Sequence, residues 1–158
     1  MSKSKTTTDP RCVRMTANQK RLVCEQLCPR ILADEGNGFA MENWSEPIES
    51  PELIEGVLYE VPKCGTVCCI GGTLESIVGK IISEYELGEM IGLDAQQTEA
   101  LFYCWSHIPT ARFPLTWASR YRLAYERNCT PLGRARVAAC LLTDMCAGKR
   151  VFDMWEGT

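Results

Sequence analysis

The chain has 158 residues, of which 46% are hydrophobic and 23% charged, a balance that fits one ordinary globular domain and excludes an intrinsically disordered chain. The formal charge is −3, and no uninterrupted apolar run is long enough to span a bilayer. The first thirty residues carry no apolar block of the secretory kind, so a cytoplasmic protein that does not engage membranes is expected.

Ten cysteines would suggest a disulfide framework in a secreted chain, but a reducing compartment predicts that most are free thiols. Packing accounts for thiols such as Cys104, Cys140 and Cys146, because cysteine behaves in cores as a small hydrophobe. The modest net charge conceals segregation. Residues 1–30 hold seven bases and two acids, residues 31–60 hold eight acids and no base, and the rest is balanced at ten of each. Such blocks attract each other or separate partners.

In chain order, residues 1–15 open with MSKSKTTTDP, lack apolar periodicity and read as a flexible basic arm ahead of a single helical domain over 16–158. The first helix should start at Thr16, where Thr-Ala-Asn-Gln has capping-box form, and should bury Leu22, Val23, Leu27, Ile31 and Leu32. Pro29 lacks an amide and disfavours helical geometry at Cys28, which predicts a kink or break there. Residues 36–62 combine acids, three prolines and isolated aromatics without a period, and so form a long acidic loop. Within it GFAMENW and VLYEV are short extended pieces, and a short β-hairpin is compatible with the pattern.

The densest motif is KCGTVCCIGGTLES at 63–76. A helix capped by Thr66 and running to about Ile82 would align Val67, Ile70, Gly71, Leu74, Ile77, Val78, Ile81 and Ile82 in one buried stripe. Glu75, Ser76 and Lys80 would then face water. Cys68, Gly72 and Gly79 form a lane of small residues suited to close approach of another backbone, or to a ligand lying against the bare helix. Cys68 and Cys69 point about 100° apart on a helix, which disfavours a shared metal ion. Cys24 and Cys28 have same-face spacing and Cys64 could join them, but without a Cys-x-x-Cys knuckle no metal or other cofactor is expected. Cys64, just ahead of a helix start, is the candidate nucleophile because a helix N-terminus favours the thiolate. Its base would have to be His107, the single imidazole.

Cys64-Gly65-Thr66, Cys69-Ile70 and Gly72, preceded by Phe39, Met41 and Trp44 and followed by GLDAQQTEALF, resemble small bacterial and phage-encoded proteins with a CGTxxCIxGxA pattern. That group has no established activity. The resemblance spans residues 36–145 in order and departs at Thr73-Leu74, where the group carries an aromatic or histidine and then alanine. It implies a bacterial or phage setting and transfers no catalytic residue.

Beyond the motif, YELGEMIG predicts a short helix stopped by Gly92. Asp94 to Gln97 is a second capping box, opening a helix that buries Thr98, Leu101, Phe102 and Trp105. WASRYRLAYER is helical in character. The last helix has Thr130 as cap, Pro131 at its first position, the stripe Val137, Ala138, Leu141, Leu142 and Met145, and Gly148 as stop before Lys149 and Arg150. The expectation is a mainly α, single compact domain of five or six helices.

Between Arg112 and Arg136 six arginines meet one acid, Glu126, among Phe113, Trp117, Tyr121 and Tyr125. Arg112, Trp117, Arg120, Tyr121, Arg122 and Arg127 are therefore the candidate binding residues, with chemistry suited to phosphate contact and base stacking. The four-residue spacing of the aromatics equally describes an amphipathic ridge buried against a core with arginines at its rim, and this second reading is preferred. The function expected is a small non-enzymatic module whose partner is another protein. Alternatives are a nucleic-acid-binding protein using Arg112 to Arg136, and a cysteine-dependent enzyme using Cys64, which selective iodoacetamide labelling of that thiol would support.

Overall fold

The computed structural model describes residues 9–39, 41, 53–54, 57–58, 69–79, 83–103 and 114–154. These form a mainly helical fold. Helix α1 covers 17–32, α2 Ile70–Val78, α3 Glu84–Met90, α4 Ala95–Tyr103, α5 Ser119–Arg127 and α6 Pro131–Cys146. Strands β1 (Leu53–Ile54) and β2 (Val57–Leu58) pair antiparallel, as do β3 (Leu115–Trp117) and β4 (Phe152–Met154). None of the described helices is long and apolar enough to cross a membrane.

Thr16 caps α1 as expected: its hydroxyl accepts from the Gln19 amide at 3.2 Å while the Gln19 side chain accepts from the Thr16 amide at 2.8 Å. Pro29 does not break the helix. Leu22–Leu27 widen into π register, in which the Cys28 amide donates to Val23 five residues back, and α-helical dihedrals persist through Leu27 and Cys28 to Leu32. The wider turn absorbs the ring and the missing donor that a regular helix would not. Leu32, expected on the buried face, is 36% exposed at the helix end.

Residues 9–15 belong to the domain rather than to an arm. Val13 is buried, the Val151 amide donates to the Arg11 carbonyl, and the Gln97 side-chain amide donates to the carbonyls of Pro10 and Cys12. Residues 1–8 lie outside the described residues. The start of the acidic segment also folds onto the core: Phe39 and Met41 are buried, and the Met41 amide donates to the Tyr125 hydroxyl at 2.7 Å. Gly36, at φ 77°, admits no side chain, since a Cβ would lie 2.6 Å from the Pro131 carbonyl oxygen. VLYEV begins in β2, which forms a short hairpin with the preceding Leu53–Ile54; most of residues 40–62, including most of GFAMENW, lie outside the described residues.

Helix α2 corrects the central expectation. Its cap is Cys69, extended at φ −81° and ψ −173°, whose sulfur accepts from the Gly72 amide at 3.5 Å, so no continuous helix runs back to Thr66. The helix stops at Gly79, left-handed at φ 78°, well before Ile82. Gly79 therefore works as a terminator. Nothing lies within 4 Å of where its side chain would be, so it is not part of a close-packed lane. Gly72 is buried.

Glu75 is the second correction, for it is 7% exposed instead of facing water. Burial raises its carboxyl pKa above 4.5, since desolvation penalises the charged form. A group whose folded pKa is raised contributes stability below its unfolded pKa, and that contribution is lost as pH rises through the folded pKa. At neutral pH Glu75 therefore weighs against the fold. Glu75→Gln is expected to raise the urea midpoint at pH 7 and to leave it nearly unchanged at pH 4.

Ser83 and Glu86 close a reciprocal capping box on α3, and Asp94 with Gln97 closes another on α4. Helices α3 and α4 pack tightly because α3 carries Gly88, where a Cβ would fall 1.9 Å from Thr98 Oγ1. Thr130 caps α6 through the Gly133 amide, and Gly148 at φ 78° ends it. WASRYRLAYER is not helical throughout. Trp117 belongs to β3, opposite Phe152, and α5 starts at Ser119, whose amide donates to Asp153 Oδ2 across the sheet at 2.9 Å.

Candidate interaction surface

Two of the expected site residues, Trp117 and Tyr121, form the inner wall of the β3–α5 unit together with Tyr125, and all three are buried. Trp117 is fully buried, donates from Nε1 to the Leu101 carbonyl at 3.3 Å, and meets Tyr125 edge to face at 5.9 Å between centroids. A base cannot stack on a ring closed inside the core. The aromatic ridge is packing, and the arginines stand at its rim.

Arg120 and Tyr121 are joined in a network that ties α5 to α6. The Arg120 guanidinium lies 4.5 Å over the Tyr121 ring and donates both to the Tyr121 hydroxyl, at 2.8 Å, and to the Arg150 carbonyl. The Tyr121 hydroxyl in turn donates to Asp144 Oδ2 at 2.5 Å, and Asp144 pairs with Lys149 at 3.6 Å. Burial, followed by the hydrogen bond to Asp144, pushes the Tyr121 pKa from 10 to about 12, against the opposing pull of Arg120. This raised value contributes stability that is intact below pH 10 and is lost as pH climbs from 10 toward 12. Tyr121→Phe should cost about 1.5 kcal/mol at neutral pH, the low end for a bond to a charged group. It should also abolish the tyrosine that ionises near pH 12 in a folded-state absorbance titration. Arg122 is half-buried and Arg127 exposed.

Cys64, Gly65, Thr66, His107 and Arg112 lie outside the described residues. Of the central motif, Cys69 and Gly72 are placed, both buried at the start of α2. The thiols of Cys24 and Cys28 have different nearest partners: Cys24 Sγ meets Cys146 Sγ at 3.6 Å, whereas Cys28 is buried with its sulfur toward the Ala139 carbonyl at 3.9 Å. Burial raises the Cys28 pKa to about 11. Among the described residues, no three of His, Cys, Asp or Glu are grouped to hold a metal ion. Cys12, Cys24, Cys28, Cys129, Cys140 and Cys146 are free thiols. Cys140, expected to be a packing residue, is exposed beside Asp144.

What sequence periodicity did not single out is a positive face. Arg14, Lys20 and Arg21 are exposed and make no ion pair among the described residues, and the only acid within 17–32 is Glu25. The bonds from Val151 and Phe152 to the Arg11 carbonyl bring the segment after α6 against residues 9–15, where exposed Arg150 lies near Asp9. Asp9 is held below 3.8 first by its hydrogen bonds from Arg11, and the charges of Arg11 and Arg150 add to this. The run of bases in residues 1–30 could have suggested such a face. Comparison with family models, with curated proteins and with solved structures found no match.

Proposed function

We propose that this chain is a small non-enzymatic interaction module of bacterial or phage accessory type, acting in the cytoplasm and binding another protein through the basic face of α1. The observation that carries the reading is the exposed group Arg14, Lys20 and Arg21, unpaired among the described residues, with Lys20 and Arg21 on a helix whose other side is core and Arg14 just ahead of its cap. Paired surface charges contribute little to recognition, whereas an uncompensated set steers and orients an acidic partner. Capture of the tagged protein from its native host, with and without nuclease, tests this: a stoichiometric acidic protein that survives nuclease and elutes with moderate salt is the expected result. Recovery of nothing but nucleic-acid-dependent material contradicts it.

Nucleic-acid binding is the second reading, favoured by exposed Arg127 and Arg136 in addition to the same face. With Trp117 and Tyr125 buried, it would rest on phosphate contacts without stacking by those rings. A shift of labelled DNA or RNA that weakens steeply with salt would select it.

A further inference from the structure

Cys24 lies in the π-register stretch of α1 and Cys146 in the last turn of α6, 122 positions apart, yet their sulfurs are 3.6 Å from each other. A disulfide needs about 2.05 Å, so the gap to close is about 1.5 Å, within reach of small side-chain rotations at the two residues. Access is asymmetric. Cys24 is exposed and Cys146 half-buried, so a small oxidant reaches the first while the second stands behind it. Cys28, the nearest third thiol in sequence, is buried and turned to the Ala139 carbonyl.

We propose that Cys24 and Cys146 form a redox-modification site at which hydrogen peroxide converts the facing thiols into a disulfide clip between α1 and α6. The Cys24 thiolate attacks one peroxide oxygen; the O–O bond breaks, Cys24 becomes a sulfenic acid, and the departing hydroxide takes a proton to become water. The Cys146 sulfur then attacks the Cys24 sulfur; the S–S bond forms, the S–O bond breaks, and the second hydroxide leaves as water with the proton that Cys146 gives up. Two thiols and one peroxide yield one disulfide and two waters, with both sulfurs oxidised and both peroxide oxygens reduced. Because Cys24 is the exposed thiol it meets peroxide first and Cys146 resolves it; burial, followed by the hydrogen bond from Cys24, also raises the Cys146 pKa.

The test treats folded, reduced protein with hydrogen peroxide, blocks remaining thiols, digests and maps peptides by mass. The expected product is a Cys24–Cys146 cross-linked peptide lighter by two hydrogens, reversed by a dithiol reductant and formed more slowly when the protein is first unfolded in urea. Cys146→Ser should leave Cys24 as a sulfenic acid that dimedone traps, and Cys24→Ser should give no cross-link to Cys146. Because Cys24 is exposed, the second variant is expected to fold normally, which circular dichroism checks. Over-oxidation of Cys24 with Cys146 still alkylatable, a dominant cross-link through Cys28, or equal rates in folded and unfolded chains would each overturn the proposal.

Discussion

Trp117→Ala is expected to cost about 3–5 kcal/mol, the range for truncating a large buried aromatic, and so to remove much of the margin of a small domain. The side chain is fully enclosed, it satisfies the Leu101 carbonyl, and its edge-to-face contact with Tyr125 adds to the area term. Trp117 also opposes Phe152, itself buried, so the cavity opens at the one place where the end of the described chain is stitched to β3. Trp117→Phe should be clearly milder, leaving a ring in the site but no donor for Leu101. Urea denaturation followed by circular dichroism measures both. If Trp117→Ala unfolds at the wild-type midpoint, the ring is not core and a stacking role returns.

Gly88→Ala is expected to destabilise although alanine is the better helix former. The propensity gain is about 1 kcal/mol, but the new Cβ would overlap Thr98 Oγ1. Thr98 has little freedom to yield: it is fully buried, β-branched, and donates to the Asp94 carbonyl at 2.8 Å. Separating α3 from α4 to make room should leave a net loss of about 2 kcal/mol. The double variant Gly88→Ala with Thr98→Ala removes the clash and should recover part of that loss, so the two substitutions are non-additive in the rescuing direction. Simple additivity would place the contact elsewhere.

The caps were legible in the sequence because their chemistry is local. Thr16 with Gln19, Asp94 with Gln97, and Thr130 accepting from the Gly133 amide each satisfy backbone donors within three residues, and no distant partner has to be known. Where the deciding partner is remote, local pattern misled. Thr66 is a common cap and Cys69 a rare one, so the central helix was extended by residues at both ends. Glu75 faces inward because of what packs on α2, which periodicity does not report. Trp117 has helical neighbours in sequence, but its pairing with Phe152 makes it strand. Pro29 is accommodated by a change to π register over the six residues Leu22–Leu27, which a regular-helix rule does not foresee.

The candidate surface was legible only in part. The excess of bases in residues 1–30 was visible, but not that Arg14, Lys20 and Arg21 stay exposed. The arginine-flanked aromatics had two interpretations, and burial of Trp117, Tyr121 and Tyr125 favours the packing one. Nothing in the sequence pairs Cys24 with Cys146, since two thiols so far apart along the chain carry no pattern.

The most direct measurement compares partner recovery by the wild type and by the triple variant Arg14→Glu, Lys20→Glu, Arg21→Glu in the same quantitative capture. All three side chains are exposed, so the variant should keep the wild-type circular dichroism spectrum. Reversal of three charges against an acidic partner is expected to lower recovery by at least tenfold, about 1.4 kcal/mol or more. Undiminished recovery of the same partner by a folded triple variant would contradict the account, because the basic face of α1 would then not be where the partner binds.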